Sequence, residues 1–434
     1  MDSARLAIIG AIVCVVDGFG SDSSAGDGID LTDRIGIGVL TRLIPRELVD
    51  EVIAEAGRRE QRKRLLPARV VVYFVMGLAL FQQDAYEEVM RKLVHGLRWL
   101  RIWRSEWSVP TTGALTQARK RLGVQVMRDL FERVAVPCAR RSTEGAWLHG
   151  WRLMSLDGFD VEVPDSEENA QRFGYAGKKK NEKGAFPKVT VLALAECGTH
   201  AIIGAELGTQ ADSETGLATQ LLSSGVVSSD MLVIGDRGLY TQEHMRQVVE
   251  AGADVLFRAK AGMNLPVLKW FQDGSYLSYA PERYAGRSAS RRIRSGQIKV
   301  TDLPGIYVRV VDYEVADRGG GKELITLVTT ILDPDTASAV ELAMAYHERW
   351  EIELTIDEVK THQRGPATIL RSKSPEMVEQ ELWGMLLTHY TIRHLMAEAA
   401  DQAQIDPDRL SFVRSLRVVR RQVTSQADFS PETP

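Results

Sequence analysis

The chain has 434 residues, of which 44% are hydrophobic and 26% are charged, and its formal net charge is −4. This balance is typical of a folded globular protein and excludes an intrinsically disordered chain. The length predicts two or three domains. A pI of about 6.1 excludes a uniformly basic protein, so any binding of phosphate groups depends on local basic clusters.

Basic residues occur in four such clusters along the chain. They are Arg58, Arg59, Arg62, Lys63, Arg64 and Arg69; Lys178, Lys179, Lys180 and Lys183; Arg287, Arg291, Arg292 and Arg294; and Arg414, Arg417, Arg420 and Arg421. A single cluster of this kind is more often a solvated surface than a contact with nucleic acid.

The cysteines and the first residues indicate the compartment. Cys14, Cys138 and Cys197 have neither metal-ligand spacing nor an even count, which favours a reducing cytoplasm. The apolar run of residues 6–16 is too short to cross a bilayer, so we expect no association with a membrane. Residues 1–35 are predicted to form a poorly ordered tail.

Residues 36–148 are predicted to form a helical N-terminal domain that binds DNA. Pro45 opens one helix, and apolar residues predict a second over Val70–Phe81. A third is expected over Tyr86–Leu100, and a fourth begins after Pro110 and runs through Arg121. Two helices with a polar break, the second rich in Arg and Lys, also fit a helix-turn-helix, although many helical bundles share this pattern.

Residues 149–365 are predicted to form an α/β domain with a mixed sheet flanked by helices. Its expected strands are Leu153–Val163, Val189–Ala195, Ala201–Glu206, Met231–Ile234 and Asp254–Phe257, with a helix over Gln242–Ala251. A β-rich insertion is expected at about 262–334, with strands at Tyr276–Tyr279, Ile298–Thr301, Ile306–Val315 and Leu324–Thr329 and a turn at Gly319–Gly321. Residues 366–434 are predicted to be helical to about Gln422, with a disordered end.

Two aspartates follow apolar runs that are predicted to be strands. Asp157 comes directly before Gly158, where we expect its strand to end, and Asp236 follows Val233–Gly235. Carboxylates at strand ends are held by rigid backbone yet are open to solvent, so they can hold hard cations. Each aspartate taken alone is more often a turn former or a helix N-cap.

Four polar residues share one stripe of a predicted helix. Tyr346, Arg349, Glu353 and Lys360 fall within a narrow sector at about 100° per residue. A carboxylate among two cations and a phenol suggests metal-assisted chemistry on a nucleic-acid backbone. The alternative is a solvated helix face with charge pairs at i, i+4.

These residues together resemble a known family. Asp157, Asp236 and Glu353 resemble the DDE triad of the insertion-sequence transposases, and the stripe matches the Tyr, Arg, Glu, Lys signature of insertion sequence family four at every position. The second aspartate of that family commonly stands in an Asp-Arg-Gly-aromatic context. Here Leu239 separates the glycine from Tyr240. The resemblance covers about residues 36–422.

The resemblance implies a ribonuclease H-like catalytic domain and a metal-dependent enzyme. It implies that two Mg²⁺ or Mn²⁺ ions are held by the three acids, and that DNA is bound by Tyr346, Arg349, Lys360 and Arg237. It also implies DNA cleavage at element ends, hairpin ends and strand transfer. The implied partners are double-stranded DNA, as terminal inverted repeats and as target, and a second copy in a dimer. The implied location is the bacterial cytoplasm, in association with the nucleoid.

Two other hypotheses stay open at the level of sequence. Family members usually continue into a further basic stretch, whereas this chain ends in the acidic, Pro-containing segment Gln426–Pro434. A shortened, catalytically inactive DNA-binding copy, acting as an inhibitor or a remnant, would fit that end. A stand-alone nuclease of the same fold would cut DNA without end specificity.

Overall fold

The computed structural model of the protein describes residues 38–60, 62, 66–95, 108–176, 184–260, 263, 265–282, 291–293, 295–316, 322–365 and 369–424. The predicted N-terminal tail, the predicted turn at Gly319–Gly321 and the predicted disordered end lie outside these residues. The chain divides into two compact units. The first unit comprises Met1–Ala139, Asp160–Val189 and Thr355–Pro434, and the second comprises Arg140–Phe159 and Thr190–Leu354. The domain boundaries proposed from the sequence remain a prediction.

The helices of the described chain are numbered here in order. They are α1 Arg46–Glu55, α2 Ala68–Leu80, α3 Tyr86–His95, α4 Thr112–Leu122, α5 Gln125–Val134, α6 Glu167–Phe173, α7 Glu214–Ser223, α8 Gln242–Glu250, α9 Ala339–His347, α10 Trp350–Asp357, α11 Pro375–Ala403 and α12 Phe412–Thr424. Short 3₁₀ turns occur at Gly38–Arg42, Val300–Asp302 and Pro407–Arg409. The helices predicted near Pro45, Val70, Tyr86 and Thr112 are therefore present.

The first unit is helical around the long helix α11. Helix α2 is buried along nearly its whole length, as its continuous apolar sequence predicts. The two helices approach closely at Gly384, where a Cβ would lie only 2.6 Å from Cγ1 of Val75. The buried Arg119 of α4 donates hydrogen bonds to the side chain of Gln380 and to the carbonyl of Met377. This arginine of the basic α4 therefore stabilises the unit instead of facing solvent.

The second unit is built on a mixed sheet. Its strands are β1 Trp147–Leu148, β2 Trp151–Glu162, β3 Lys188–Glu196, β4 Ile202–Gly208, β5 Met231–Gly235, β6 Asp254–Arg258, β7 Lys269–Trp270, β8 Tyr276–Pro281, β9 Gly305–Ala316 and β10 Lys322–Thr329. The spatial order is β4-β3-β2-β5-β6-β10-β9-β8-β7, and β1 pairs with β2.

Pairing directions identify the fold class. Strands β2, β5 and β6 are parallel neighbours, whereas β3 and β4 form an antiparallel hairpin. Backbone hydrogen bonds from Cys197 to Leu153 and from Val163 to Pro187 show that β3 also runs antiparallel to β2. Strands β2, β3 and β4 are thus antiparallel neighbours, and β5 and β6 run parallel to β2. This is the arrangement of the ribonuclease H-like fold, so the predicted fold class is confirmed.

The β-rich segment continues this sheet. Strand β10 pairs antiparallel with β6, and β9, β8 and β7 follow as antiparallel neighbours. The strand predicted at Ile298–Thr301 was wrong, because Val300–Asp302 forms a 3₁₀ turn. The Asp302 carboxylate accepts the N–H of Lys299 at 2.7 Å, and this local bond competes with strand pairing.

Helix α9 covers part of the sheet. Its residues Leu342, Ala345 and Tyr346 pack into one buried cluster with the strand residues Ile234 and Leu327. Ser338 caps the helix in a capping box with Glu341. The chain that carries the signature residues is therefore anchored directly on the strands that precede the two aspartates.

Candidate active site

The register of two parallel strands brings Asp157 and Asp236 together. The last paired residues of β2 and β5 are Leu156 and Gly235, so the two aspartates are the next residues on adjacent strands. Adjacent strands lie about 4.8 Å apart. The sheet itself therefore places the two carboxylates side by side.

The expectation that a strand ends at each aspartate holds for only one of them. Strand β5 ends at Gly235, but β2 continues through Asp157 to Glu162. The reason is that β2 has a second neighbour, β3, which still pairs with it at Val163 after β5 has ended. Asp157 therefore stands on continuous strand, and Asp236 begins a turn.

Local backbone hydrogen bonds orient both carboxylates. Asp157 Oδ1 accepts the N–H of Gly158 at 2.8 Å. Asp236 Oδ1 accepts the N–H groups of Gly238 and Leu239 at 2.7 and 3.2 Å, which is the pattern of an Asx turn. Both side chains are half-buried, so each keeps free oxygen lone pairs at a solvent-accessible edge.

Arg349 joins the third acid to this pair. Its guanidinium lies 3.1 Å from Glu353 Oε1 through Nη2 and 3.8 Å from Asp157 Oδ2 through Nη1. Burial raises the pKa of Asp157, and the charges of Asp236 and Glu353 raise it further, whereas Arg349 and the Gly158 N–H oppose the shift. The three predicted acids therefore lie close enough to interact electrostatically.

The arginine is itself held firmly. Its side chain is only 11% exposed, and its backbone carbonyl accepts the hydroxyl of Ser155 at 3.5 Å. The thiol of Cys197 donates a hydrogen bond to the backbone carbonyl of the preceding residue, Glu348, at 3.7 Å. These contacts attach the turn between α9 and α10 to β2 and to the end of β3.

The single continuous helix predicted from Tyr346 to Lys360 was wrong. Helix α9 ends at His347, and α10 begins at Trp350. The N–H groups of residues 348, 349, 351 and 352 all bond to the carbonyl three positions earlier, which tightens this turn to a 3₁₀ form. The chain then widens into a π-helical turn over Glu358–Gln363. A constant rotation of about 100° per residue therefore does not describe this segment.

The remaining predicted DNA-binding residues occupy different settings. Tyr346 is buried in the cluster under α9, and burial raises the pKa of its hydroxyl, which lies near Arg349 and Asp236. Arg237 is exposed beside Asp236. Lys360 belongs to the first unit, where it is half-buried in the π-helical turn. The roles of all these residues remain predictions.

A wide cavity opens next to the arginine. It measures about 1150 Å³, and its lining includes Arg258 of β6, Tyr313 of β9, Met344 of α9 and Trp350 of α10. The Trp350 ring is 54% exposed and lies 5.2 Å from the guanidinium carbon of Arg349. Sequence reasoning did not single out this tryptophan, although its place directly after the signature arginine was a usable signal.

The donor set of this site fits a hard divalent cation. Three carboxylates supply oxygen ligands, which Mg²⁺ and Mn²⁺ prefer to nitrogen or sulfur. Burial and the charges of Asp236 and Glu353 raise the pKa of Asp157, and a bound cation would oppose these effects. The residues therefore fit such ions.

A second basic feature lies in the first unit. A cleft of about 450 Å³ is lined by four arginines, namely Arg58, Arg59 and Arg62 of the first basic cluster and Arg121 of α4, and all four are exposed. Other cationic side chains serve the fold, since Arg69 pairs with Asp50 and Arg420 donates to backbone carbonyls. Outside the described residues lie Lys63, Arg64, Lys178, Lys179, Lys180, Lys183, Arg287 and Arg294.

Comparison with known proteins gives consistent matches along the chain. A model of the insertion element 4 transposase N-terminal region matches residues 34–132, and a model of the transposase DDE domain matches residues 150–390, more than half of the chain. The transposase InsG of insertion sequence element IS4 from Escherichia coli K12 is 27% identical over 414 residues, which is 94% of this chain and 88% of that protein.

Two further similarities are more distant. The putative transposase InsZ of the same organism is 24% identical over 49% of this chain and 67% of its own length. A piggyBac transposase synaptic complex with hairpin DNA aligns over 91% of this chain and 82% of that chain, with 11% identity and a TM-score of 0.45. In the described part of the chain, no helix is both long and apolar enough to cross a membrane. The chain belongs to the insertion element 4 family of DDE transposases and is an enzyme of DNA transposition.

Proposed function

We propose that this transposase binds the ends of its insertion sequence as double-stranded DNA, cleaves them and joins them to a target. The observation that carries the proposal is the convergence of Asp157, Asp236 and Glu353 at one sheet edge, with Arg349 between two of them. Membership of the family implies a divalent metal, and we propose two Mg²⁺ or Mn²⁺ ions held by the three acids.

Two such ions, when bound, supply Lewis-acid stabilisation to both the attacking and the leaving oxygen of a phosphoryl transfer. In the first step a water oxygen forms a bond to phosphorus and the bond to the 3′ oxygen breaks, which leaves a 3′-hydroxyl and a 5′-phosphate. The oxygen of the freed hydroxyl then bonds to a phosphorus of the opposite strand, and the 3′ oxygen of the flanking DNA leaves, which gives a hairpin end. When water attacks the hairpin phosphorus, the 3′ oxygen of the element leaves and the 3′-hydroxyl is regenerated. This hydroxyl attacks a phosphorus of target DNA, whose own 3′ oxygen leaves.

The protein side chains position the phosphates in these steps. Arg349 presents a planar guanidinium, which suits bidentate contact with phosphate oxygens. It is already packed against Asp157 and Glu353, so it is pre-organised next to the acids. Arg237 is exposed beside Asp236 and would contact the DNA backbone. Tyr346 and Lys360 complete the signature and are proposed to bind terminal phosphates.

The basic cleft of the first unit supports a DNA-binding role for the N-terminal region. Arg58 and Arg59 lie on one segment and Arg121 lies at the end of α4, and together they line one concave surface. Concave basic surfaces attract the negatively charged phosphate backbone. We propose that this cleft contacts the element end and that the enzyme acts as a dimer on paired ends. The cytoplasmic, nucleoid-associated location stays a prediction.

Cleavage of a labelled duplex that carries the element's own terminus tests the proposal. With Mg²⁺ the protein should nick the terminus, and Glu353→Gln should lower the rate at least about 100-fold while binding of the duplex is retained. Asp357→Asn is the matched control, because Asp357 is an exposed acid of the same segment that pairs with His362 at 3.1 Å. It should cleave like the wild type.

Two outcomes would replace the proposal by the hypotheses left open by the sequence. Binding of the terminus without any cleavage by the wild type would support an inactive DNA-binding copy. Equal cleavage of the terminus and of an unrelated duplex would support a stand-alone nuclease.

A further inference from the structure

A fourth carboxylate approaches the two aspartate-bearing strands. Glu214 is the first residue of α7, and its carboxylate reaches back to the glycines that follow Asp157 and Asp236. A Cβ built on Gly158 would lie 2.6 Å from Glu214 Oε1, and one built on Gly238 would lie 3.5 Å from Oε2. One carboxylate therefore spans the space between the two strands.

The Cβ position built on Gly238 is also close to the second aspartate, Asp236. Asp236 Oδ1 lies 3.0 Å from the Cβ position of Gly238, and Glu214 Oε2 lies 3.5 Å from it. Both carboxylates therefore border one point, and like charges that share such a site repel each other unless a cation lies between or beside them. The arrangement is therefore one that a divalent ion stabilises.

The glycine at position 158 is explained by this approach. Gly158 lies on strand, and its backbone is not in the left-handed region that favours glycine, so no turn requires it. A Cβ at 2.6 Å from an oxygen would overlap the carboxylate. The absence of a side chain at this position leaves the space that the carboxylate of Glu214 occupies.

Interaction with the helix dipole alone does not explain the position of Glu214. An acid in the first turn of a helix interacts favourably with the helix dipole, but the first turn of α7 already has a cap, since Ser213 Oγ accepts the N–H of Gly216 at 3.0 Å. The equivalent first residue of α6, Glu167, also follows a capping serine, yet its side chain is exposed. Glu214 is instead half-buried against the strands of the site.

We propose that Glu214 is a further ligand of the divalent metal site, bound to an ion directly or through one water. This inference rests on the proposed function of Asp157, Asp236 and Glu353. With Glu214 the site presents four carboxylates and the single guanidinium of Arg349. Two divalent cations match the charge of this set more closely than they match the charge of three carboxylates with the same guanidinium.

Binding of Mn²⁺ to the full-length protein without DNA tests the inference by a readout that does not depend on activity. Calorimetry or electron paramagnetic resonance should show that Glu214→Gln weakens Mn²⁺ binding by about 10-fold to 100-fold. Glu167→Gln is the matched control, because it changes the same residue type at the same helix position, and it should bind Mn²⁺ like the wild type.

A parallel variant separates failure of this inference from failure of the proposed function. Asp236→Asn should weaken Mn²⁺ binding in any case. If Asp236→Asn weakens binding and Glu214→Gln does not, the inference about Glu214 is wrong while the metal site stands. If neither variant changes Mn²⁺ binding, the proposed metal site itself is wrong.

A second pair of variants tests the geometry if Glu214→Gln folds poorly. Gly158→Ala should displace the Glu214 carboxylate, so it should weaken Mn²⁺ binding. In a Glu214→Ala background the same Gly158→Ala change should have a much smaller effect on Mn²⁺ binding. Equal effects in the two backgrounds would show that Glu214 does not occupy the space beside Gly158, and the inference would fail.

Discussion

At the scale of single residues, Arg349 is a cationic side chain that contacts two of the three acids. It contacts the carboxylates of Asp157 and Glu353, and burial together with neighbouring acids raises the pKa of Asp157. The arginine lowers this pKa in part, so it stabilises the negative charge of the site in the metal-free protein. Arg349, which we propose to bind phosphate during the reaction, would thus also hold Asp157 and Glu353 together before DNA binds.

Arg349→Ala is therefore expected to lower the free energy of unfolding in EDTA. We expect a decrease of about 1–2 kcal/mol, less than for a fully buried ion pair, because Glu353 is 45% exposed. Saturating Mg²⁺ should restore part of this stability by compensating the same carboxylates. Urea unfolding with and without Mg²⁺ measures both effects.

Arg349→Lys provides the comparison for this change. Lysine keeps the charge but cannot contact two carboxylates with a planar fork. Arg349→Lys should therefore lower the free energy of unfolding, but by less than Arg349→Ala does. If Arg349→Ala were as stable as the wild type in EDTA, the balancing role of the guanidinium would be wrong.

The sequence singled out the three acids as candidates, but it did not indicate their surroundings. Asp157 and Asp236 stood out because each follows an apolar run, and Glu353 because of its spacing from Tyr346 and Arg349. Glu214 has no such signal, since it is the first residue of an ordinary short helix. Its proximity arises from the fold of the hairpin and α7, which no local pattern encodes.

At the scale of elements, the signature segment consists of three different helical forms. A 3₁₀-like turn separates α9 from α10, and a π-helical turn follows at Glu358–Gln363. The periodicity predicted a helix but not these changes, because they depend on tertiary contacts. Ser155 and Cys197 bind the carbonyls of the turn, and in the first unit Glu358 is held by α11.

Glu358 is buried with a histidine and an arginine as its partners. His389 Nε2 lies 3.1 Å from its Oε2, Arg393 Nε donates to Oε2 at 2.8 Å, and Arg393 Nη2 contacts the other oxygen. Breaking one side of such a buried pair leaves an uncompensated charge and costs about 3–5 kcal/mol. These contacts fix the first residue of the π-helical turn that contains Lys360.

Glu358→Gln is expected to destabilise the protein by about 3 kcal/mol or more, because the guanidinium of Arg393 is left in the interior without the carboxylate that it contacts. Denaturant unfolding measures this change. Asp357→Asn removes the neighbouring acid, which is exposed and pairs at the surface with His362. Its effect should be below about 1 kcal/mol, and equal destabilisation by the two variants would contradict the assigned role of Glu358.

Several elements were predictable and others were not, for physical reasons. The hairpin of β3 and β4 and the strand β5 follow from short apolar runs with clear turn residues. Helix α6 was missed because it is short and Phe173 is its one large buried apolar residue. Helix α7 was missed although Leu217, Ala218, Leu221 and Leu222 stand at helical spacing. The strand expected at Ile298–Thr301 failed because a local side-chain bond of Asp302 favours a turn.

At the scale of the whole molecule, the sheet order was accessible only through the family resemblance. Alternation predicts strands, but it does not state that β2 lies between β3 and β5 or that β10 extends the sheet beyond β6. These neighbours are set by long-range pairing. The basic cleft is a similar case, because it joins Arg59 and Arg121 from segments that are distant in sequence.

The cleft should contribute a salt-dependent part of DNA binding. Arg59→Ala combined with Arg62→Ala is expected to weaken binding of the element terminus. The slope of log affinity against log salt concentration should also become shallower, by about 0.9 for each phosphate group that the protein no longer neutralises. Fluorescence anisotropy over a range of salt concentrations measures both quantities.

Arg91→Ala is the control for this cleft, since Arg91 is an exposed arginine that pairs with Glu88 on α3, away from the residues that line the cleft. It should leave affinity and slope unchanged. An unchanged slope in the double variant would mean that the cleft does not bind the DNA backbone.

The most direct test of the central claim is to locate the metal on the polypeptide. Fe²⁺ bound in place of Mg²⁺ generates hydroxyl radicals that cut the chain near the ion when ascorbate and peroxide are added. If the three acids bind the metal, the chain is cut close to Asp157, Asp236 and Glu353. These cuts disappear with excess Mg²⁺ and in Asp236→Asn. Cuts confined to other segments, or cuts that Asp236→Asn leaves unchanged, would contradict a metal site formed by these three acids.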